Sequence, residues 1–60
     1  MKQLSESDLS ATINALRVAA EQYDRDAETL QQDNFPGYAQ QFKNQAATAR
    51  RIADELEADA

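Results

Sequence analysis

The residues best placed for chemistry lie around the single Pro and single Gly of the chain. Phe35 and Tyr38 bracket Pro36-Gly37, where a helix that opens at Pro36 would leave unpaired backbone amides. Amides at a helix start attract anions, and an aromatic side chain beside them can stack a base. This segment is therefore a candidate site for a nucleotide-like ligand. The alternative is that the two rings close the end of a helix bundle.

Polar residues further along the chain extend this candidate site. Gln41 and Gln45 follow at helical spacing, and Lys43 and Arg50 supply positive charge that could hold a phosphate. An ordinary surface pair is a competing explanation for Arg50, because Asp54 stands four residues later. The predicted ligand-binding set is Phe35, Gly37, Tyr38, Gln41, Lys43, Gln45 and Arg50.

Catalytic chemistry has few candidates in this composition. The chain has no Cys and no His, so neither a nucleophile and base pair nor a zinc or di-iron site can be assembled. Asp24, Asp26 and Glu28 have the spacing of a calcium loop but lack its Gly and its terminal Glu. We expect no enzymatic activity, no metal and no cofactor.

Size and charge restrict the partners. Sixty residues make a single domain, predicted at 1–60, and a core this small is marginal without disulfides, a metal or a partner chain. A net charge of −5 argues against direct binding to nucleic acid or to an anionic membrane. Without a membrane-length apolar run, a secretory leader or Cys, the chain is expected to be cytoplasmic.

Two helices are predicted to position these residues. Ser5 and Asp8 form a capping pattern, so helix 1 is predicted at about 6–32. The turn is placed at residues 33–36, with Pro36 leading into helix 2 at about 37–57. A connection this short forces the helices to lie antiparallel, so the predicted fold is all-α, a two-helix hairpin. Apolar residues at steps of four and three form its seam, among them Leu9, Ile13, Leu16, Ala20, Tyr23, Ala27 and Leu30 in helix 1, and Tyr38, Phe42, Ala46, Ala49, Ala53 and Leu56 in helix 2.

The two flanks of the predicted seam differ in polarity. One is charged and carries Arg17, Glu21, Asp24, Glu28, Lys43, Arg50, Asp54 and Glu57. The other is apolar, and a hairpin has no further element to cover it. We therefore predict self-association into a four-helix bundle or a higher ring. The predicted interface residues are Ala15, Ala19, Tyr23, Ile52 and Leu56.

At one level of the seam, both helices contribute a small side chain. Ala20 faces Ala49, so either the helices approach closely at this level or another chain fills the space. The second explanation agrees with the predicted self-association and is the one preferred from the sequence.

The chain resembles the small uncharacterised helical-hairpin proteins of phage and prophage genomes, through ALRVAAEQY at 15–23, QF at 41–42 and QAATARRIA at 45–53. The resemblance covers about residues 9–57. It implies a counter-defence protein in the host cytoplasm, either an oligomeric sponge for a cyclic nucleotide signal or a factor that blocks a host protein, and it assigns no binding residues. Plasmid RNA-binding hairpin dimers share the architecture, but they use a basic helical face that this acidic chain lacks.

The sequence thus favours a non-enzymatic, homo-oligomeric binding protein that sequesters a nucleotide-like host defence signal. One alternative is an inhibitor of a host defence or regulatory protein, acting through Val18, Arg25 and Thr29 on the back of helix 1 or as an acidic mimic of nucleic acid. A purely structural or assembly hairpin is the other alternative, and it requires neither site.

Overall fold

The computed structural model describes residues 4–59, which form two α-helices joined by a three-residue turn. Helix α1 spans Glu6–Gln32 and helix α2 spans Pro36–Ala58. The two helices pack against each other, so the predicted helical hairpin is confirmed. Pro36 opens α2 as expected, and each helix begins and ends within one residue of its predicted limits.

A side-chain cap begins α1. Ser5 has an extended backbone, and its Oγ accepts a hydrogen bond from the Asp8 amide at 3.1 Å. This bond satisfies one of the amides that a helix start leaves unpaired. The negative carboxylates of Glu6 and Asp8 in the first turn also stabilise the helix, because they lie at the positive end of its dipole. The Ser5 half of the predicted capping pattern is therefore present.

A Schellman motif ends α1. Asn34 has a left-handed backbone with φ of 68°, which Asn tolerates better than most residues with a side chain. Its N–H donates to the Gln31 carbonyl at 3.2 Å, and the Phe35 N–H donates to the Leu30 carbonyl at 2.8 Å. These bonds satisfy carbonyls that the helix end would leave unpaired. Because Phe35 is also the N-cap of α2 and Pro36 follows it, three residues reverse the chain.

Alanine fills the interior of the hairpin. Among residues 4–59 the buried side chains are Ile13, Ala20, Ala27, Ala39, Ala46, Ala49 and Ala53. Small side chains at the contact let two helix axes approach closely, because the axial separation depends on the residues between them. The larger seam residues are left half-buried at the sides: Leu9, Leu16, Tyr23, Leu30, Phe42 and Leu56.

The small layer of the seam is closed within a single chain. Ala20 and Ala46 have no exposed surface, and they cluster with Ala49 between Leu16 and Tyr23. Close approach of the helices therefore accounts for this layer, and the second chain preferred from the sequence is not needed to fill it.

Ion pairs join the helices along the charged flank. Arg17 donates to Asp54 at 3.2 Å and to Glu57 at 3.1 Å, and Arg50 donates to Asp24 at 2.6 Å. The hydrogen bonds that Arg17 donates to Glu57 and Asp54 raise the pKa of Arg17, which keeps its charge at any physiological pH. The expected pairing of Arg50 with Asp54 is wrong, because Asp54 pairs with Arg17. These exposed pairs add little stability, and they form where the packing of the seam brings the two helices together.

The variant Ala20→Leu tests the close approach of the helices. Because Ala20 has no exposed surface, the larger side chain must push the helices apart. We expect the free energy of unfolding to fall by about 1–3 kcal/mol. Ala47→Leu on the exposed surface of α2 is the matched control and should change it by less than about 0.5 kcal/mol. Denaturant titration followed by circular dichroism, at one chain concentration, measures both. Equal stability of the two variants would contradict a tightly closed seam.

Candidate functional site

An open groove lies at the turn end of the hairpin and has a volume of about 420 Å³. This turn groove is lined by Asn34, Phe35, Pro36, Gly37, Tyr38 and Gln41. Phe35 and Tyr38 are 50% and 60% exposed, and their ring centroids lie 6.3 Å apart with the planes tilted by 57°. The two rings therefore touch without burying each other, and both remain available to another molecule.

The backbone of the turn groove presents hydrogen-bond donors. Phe35 is the N-cap of α2 and has no side-chain cap bond, while the Ala39 amide donates to the Phe35 carbonyl at 2.9 Å. The amides of Gly37 and Tyr38 therefore lie at the positive end of the helix dipole without a partner inside the helix. At Gly37 the space that a β-carbon would occupy is open, so a ligand can approach this amide closely. A planar ring joined to a small anion fits this combination.

The turn groove brings together part of the predicted ligand set: Phe35, Gly37, Tyr38 and Gln41. The other predicted residues lie elsewhere. The Lys43 ammonium donates to the Gln31 side-chain carbonyl at 3.1 Å, Arg50 pairs with Asp24 on the charged flank, and Gln45 lines a second groove. All six residues that line the turn groove are uncharged. An anion there would therefore be held by backbone amides.

The second groove runs along the middle of the apolar flank and has a volume of about 380 Å³. This apolar groove is lined by Leu16, Ala19, Tyr23, Asn44, Gln45, Thr48, Ala49 and Ile52. Leu16, Tyr23 and Ile52 are its large apolar side chains, and all three are half-buried. None of the lining residues carries a charge, in contrast to the flank with the cross-helix ion pairs.

The predicted interface residues fall on or beside the apolar groove. Ala19, Tyr23 and Ile52 line it, while Ala15 is exposed and Leu56 is half-buried outside its lining. Leu16, predicted as a seam residue, also lines the groove, where it packs against the buried cluster of Ala20, Ala46 and Ala49. The signal for this exposure in the sequence was that the residues across the seam are Ala, which are too small to cover a Leu side chain.

The alternative protein-binding residues lie on the back of α1. Val18, Arg25 and Thr29 are all exposed, and Val18 retains 65% of its surface. The Thr29 hydroxyl donates to the Arg25 carbonyl at 3.2 Å, so it is directed along its own helix. Val18 and Thr29 are about 16 Å apart at the rise of a helix, so they do not form one compact patch.

Two of the three carboxylates that suggested a calcium loop have other partners. Asp24 pairs with Arg50, and Asp26 accepts a hydrogen bond from the Gln22 side chain at 3.0 Å. Within residues 4–59 no group of three or more His, Cys, Asp or Glu is placed to hold a metal ion. Neither α1 nor α2 has an apolar stretch of the length that crossing a bilayer requires.

Comparison with known proteins does not supply a relative to reason from. No protein-family model, no curated protein and no solved structure matches this chain. The resemblance to phage hairpin proteins remains a prediction, and the function is inferred from the two grooves themselves.

Proposed function

We propose that the protein is a non-enzymatic binding protein that works as a homo-oligomer assembled through the apolar groove. The observation that supports this proposal is that small side chains fill the core while large apolar side chains are left on the flank. Alanine fills the core, while Leu16, Tyr23 and Ile52 keep exposed surface along the groove. Full burial of a large apolar side chain contributes about 1.5–3 kcal/mol. Leu16, Tyr23 and Ile52 are already partly buried, so covering the groove would add a fraction of that value for each of the three, all on one continuous surface.

A second copy of the chain is the partner that fits this flank. Each copy has a net charge of −5, and the uncharged groove is where two such copies can meet with little repulsion. The ion-paired flank keeps its charges in water. The outline of the hairpin, 43 Å by 18 Å, is about 800 Å², so a pair that covered the whole face would bury on the order of 1,600 Å², the size of a standard stable interface, and a pair that covered the groove alone would bury less.

For the activity itself, the turn groove supports sequestration of a nucleotide-like signal, as expected for a phage counter-defence protein. Phe35 and Tyr38 supply exposed rings for a base, and the Gly37 and Tyr38 amides supply donors for a phosphate. Both contacts come from one chain, so each copy in the oligomer would carry its own site.

Inhibition of a host protein is the second candidate activity. Its support is Val18, a β-branched apolar side chain left 65% exposed on the back of α1. The acidic surface would also suit a partner that normally binds nucleic acid. A purely structural hairpin would need the apolar groove alone.

Replacing Ile52 with Asp tests the assembly. An unpaired carboxylate inside a buried interface costs on the order of several kcal/mol, so Ile52→Asp should dissociate the oligomer or unfold the chain. Ala47→Asp adds the same charge on the exposed outer face of α2 and should leave assembly intact. Sedimentation velocity at a chain concentration of about 10 µM separates oligomer from monomer. Interfaces of standard size associate in this concentration range. A wild-type chain that sediments as a folded monomer would contradict the proposal.

Two replacements of Phe35 test the turn groove. Phe35→Leu keeps an apolar side chain for the contact with Leu30 that commonly accompanies a Schellman motif, but it removes the aromatic face. Phe35→Tyr keeps that face. Against cyclic mononucleotides and dinucleotides in calorimetric titration, Phe35→Leu should lose about 1–3 kcal/mol of binding while Phe35→Tyr binds as the wild type does. Thermal melts of both should stay close to wild type.

Equal affinity of the two Phe35 variants would remove the turn groove as the site. Failure of the wild type to bind any cyclic nucleotide would do the same. Capture of a host protein by the wild type, lost in Val18→Asp, would then favour the inhibitor.

A further inference from the structure

Resting on the proposed self-association, we propose that two copies pair face to face across the apolar groove, with the turn of one chain over the terminal end of the other. The turn end means residues 27–44, and the terminal end means residues 4–17 with 51–59. The proposal follows from the polarity of the flanks and from the distribution of charge along the hairpin.

The polarity of the flanks restricts the assembly to two copies. In the described part of the chain the apolar groove occupies one flank, while the other carries Arg17 bound to Asp54 and Glu57, and Arg50 bound to Asp24. A ring needs two different surfaces that fit each other, whereas a closed pair uses one surface twice. Of the two flanks formed by residues 4–59, the one with the apolar groove is left to be covered, and a pair covers it by using it twice.

The charges at the two ends of the hairpin are unequal. The terminal end holds six carboxylates and two guanidinium groups, a net charge of −4: Glu6, Asp8, Asp54, Glu55, Glu57 and Asp59 with Arg17 and Arg51. The turn end holds Glu28 and Asp33 with Lys43, a net charge of −1. Lys2 lies outside the described residues and adds one positive charge next to the terminal end in sequence.

The orientation of the second copy decides which ends meet. Packed helices lie about 8–10 Å apart, which is about one Debye length at physiological salt. If like ends were paired, two strongly acidic terminal ends would lie within reach of their repulsion. In the opposed orientation each terminal end faces a turn end, and the two terminal ends are separated by nearly the length of α1. With 27 residues, α1 is about 40 Å long, so that repulsion is screened.

The polar residues of α2 also fit the opposed orientation. A two-fold axis perpendicular to the helices places α2 antiparallel over α2 of the second copy, centred near Thr48 at the middle of the groove. Gln45 then lies level with Arg51 of the other chain, and Gln41 lies level with Glu55. At these two levels an uncharged side chain lies level with the Arg51–Glu55 ion pair of the other chain, which is retained, so no like charges are brought together. Ala19 and Ala49 line the middle of the groove, where close contact requires small residues.

Distances between spin labels test the orientation directly, because the chain has no Cys of its own. Gln32→Cys labels the exposed turn end and Ala58→Cys labels the exposed terminal end. In the opposed pair, either label alone should give a distance of about 30–40 Å between copies. A mixture of the two labelled chains should add a distance of about 15–20 Å, since the labelled ends then face each other.

A second pair of labels guards against disturbance of the helix ends. Gln40→Cys and Ser10→Cys mark the same two ends at exposed, uncharged positions. Both pairs should report the same orientation, and circular dichroism checks that each labelled chain keeps the wild-type helix content. Short distances from either label alone, with no short distance in the mixture, would overturn the opposed orientation.

Sedimentation of the same samples separates failure of this inference from failure of the proposed function. A dimer with short like-label distances would contradict the orientation and leave self-association standing. An assembly larger than a dimer would contradict the two-copy pairing. A folded monomer would contradict the proposed self-association, and this inference with it.

Discussion

Close packing of two helices along a seam of alanines is the contact on which the rest of this structure depends. Ala20, Ala46 and Ala53 have no exposed surface. Their small side chains permit the helix separation at which Arg17 and Arg50 reach carboxylates on the opposite helix. At the same separation the rings of Tyr23 and Phe42 pack edge to face, with their centroids 5.9 Å apart. The same small side chains cannot cover Leu16 or Ile52, which stay half-buried. A tightly closed hairpin and an uncovered apolar flank therefore have one cause.

Assembly and ligand binding are linked by the charge of the chain. In the proposed pairing, a second copy in the opposed orientation would cover the apolar groove and place its acidic terminal end near the turn groove. Because the turn groove has uncharged walls and offers backbone amides, it would then favour a nucleotide with a single negative charge over one with several. The long separation between the two turn grooves in the proposed pair would also let each site bind its ligand independently. Stoichiometry of one ligand per chain follows from this arrangement.

Local signals in the sequence were sufficient to predict the two helices, and long-range contacts were not. The cap at Ser5, the alternating apolar steps and the Pro at the start of α2 each act within a few residues, so they place helix limits closely. The pairing of Arg50 with Asp24 depends on how near the helices lie, which the Ala layer decides and a four-residue spacing does not reveal. The turn residues Phe35, Gly37 and Tyr38 were found together because they are neighbours in sequence. Lys43 and Arg50 were assigned to the same site by their charge, and charge alone does not say on which side of a helix a residue lies.

If the hairpin is stable only when a second copy covers its apolar flank, its resistance to denaturant must depend on chain concentration. A hundredfold increase in concentration should stabilise the folded pair by about 2.7 kcal/mol through mass action. Urea titrations followed by circular dichroism, at chain concentrations from about 1 to 100 µM, should therefore show a midpoint that rises steadily with concentration. A midpoint that is the same across this range, with full helix content at the lowest concentration, would show that the alanine seam is sufficient to hold a single chain folded and would contradict the proposed assembly.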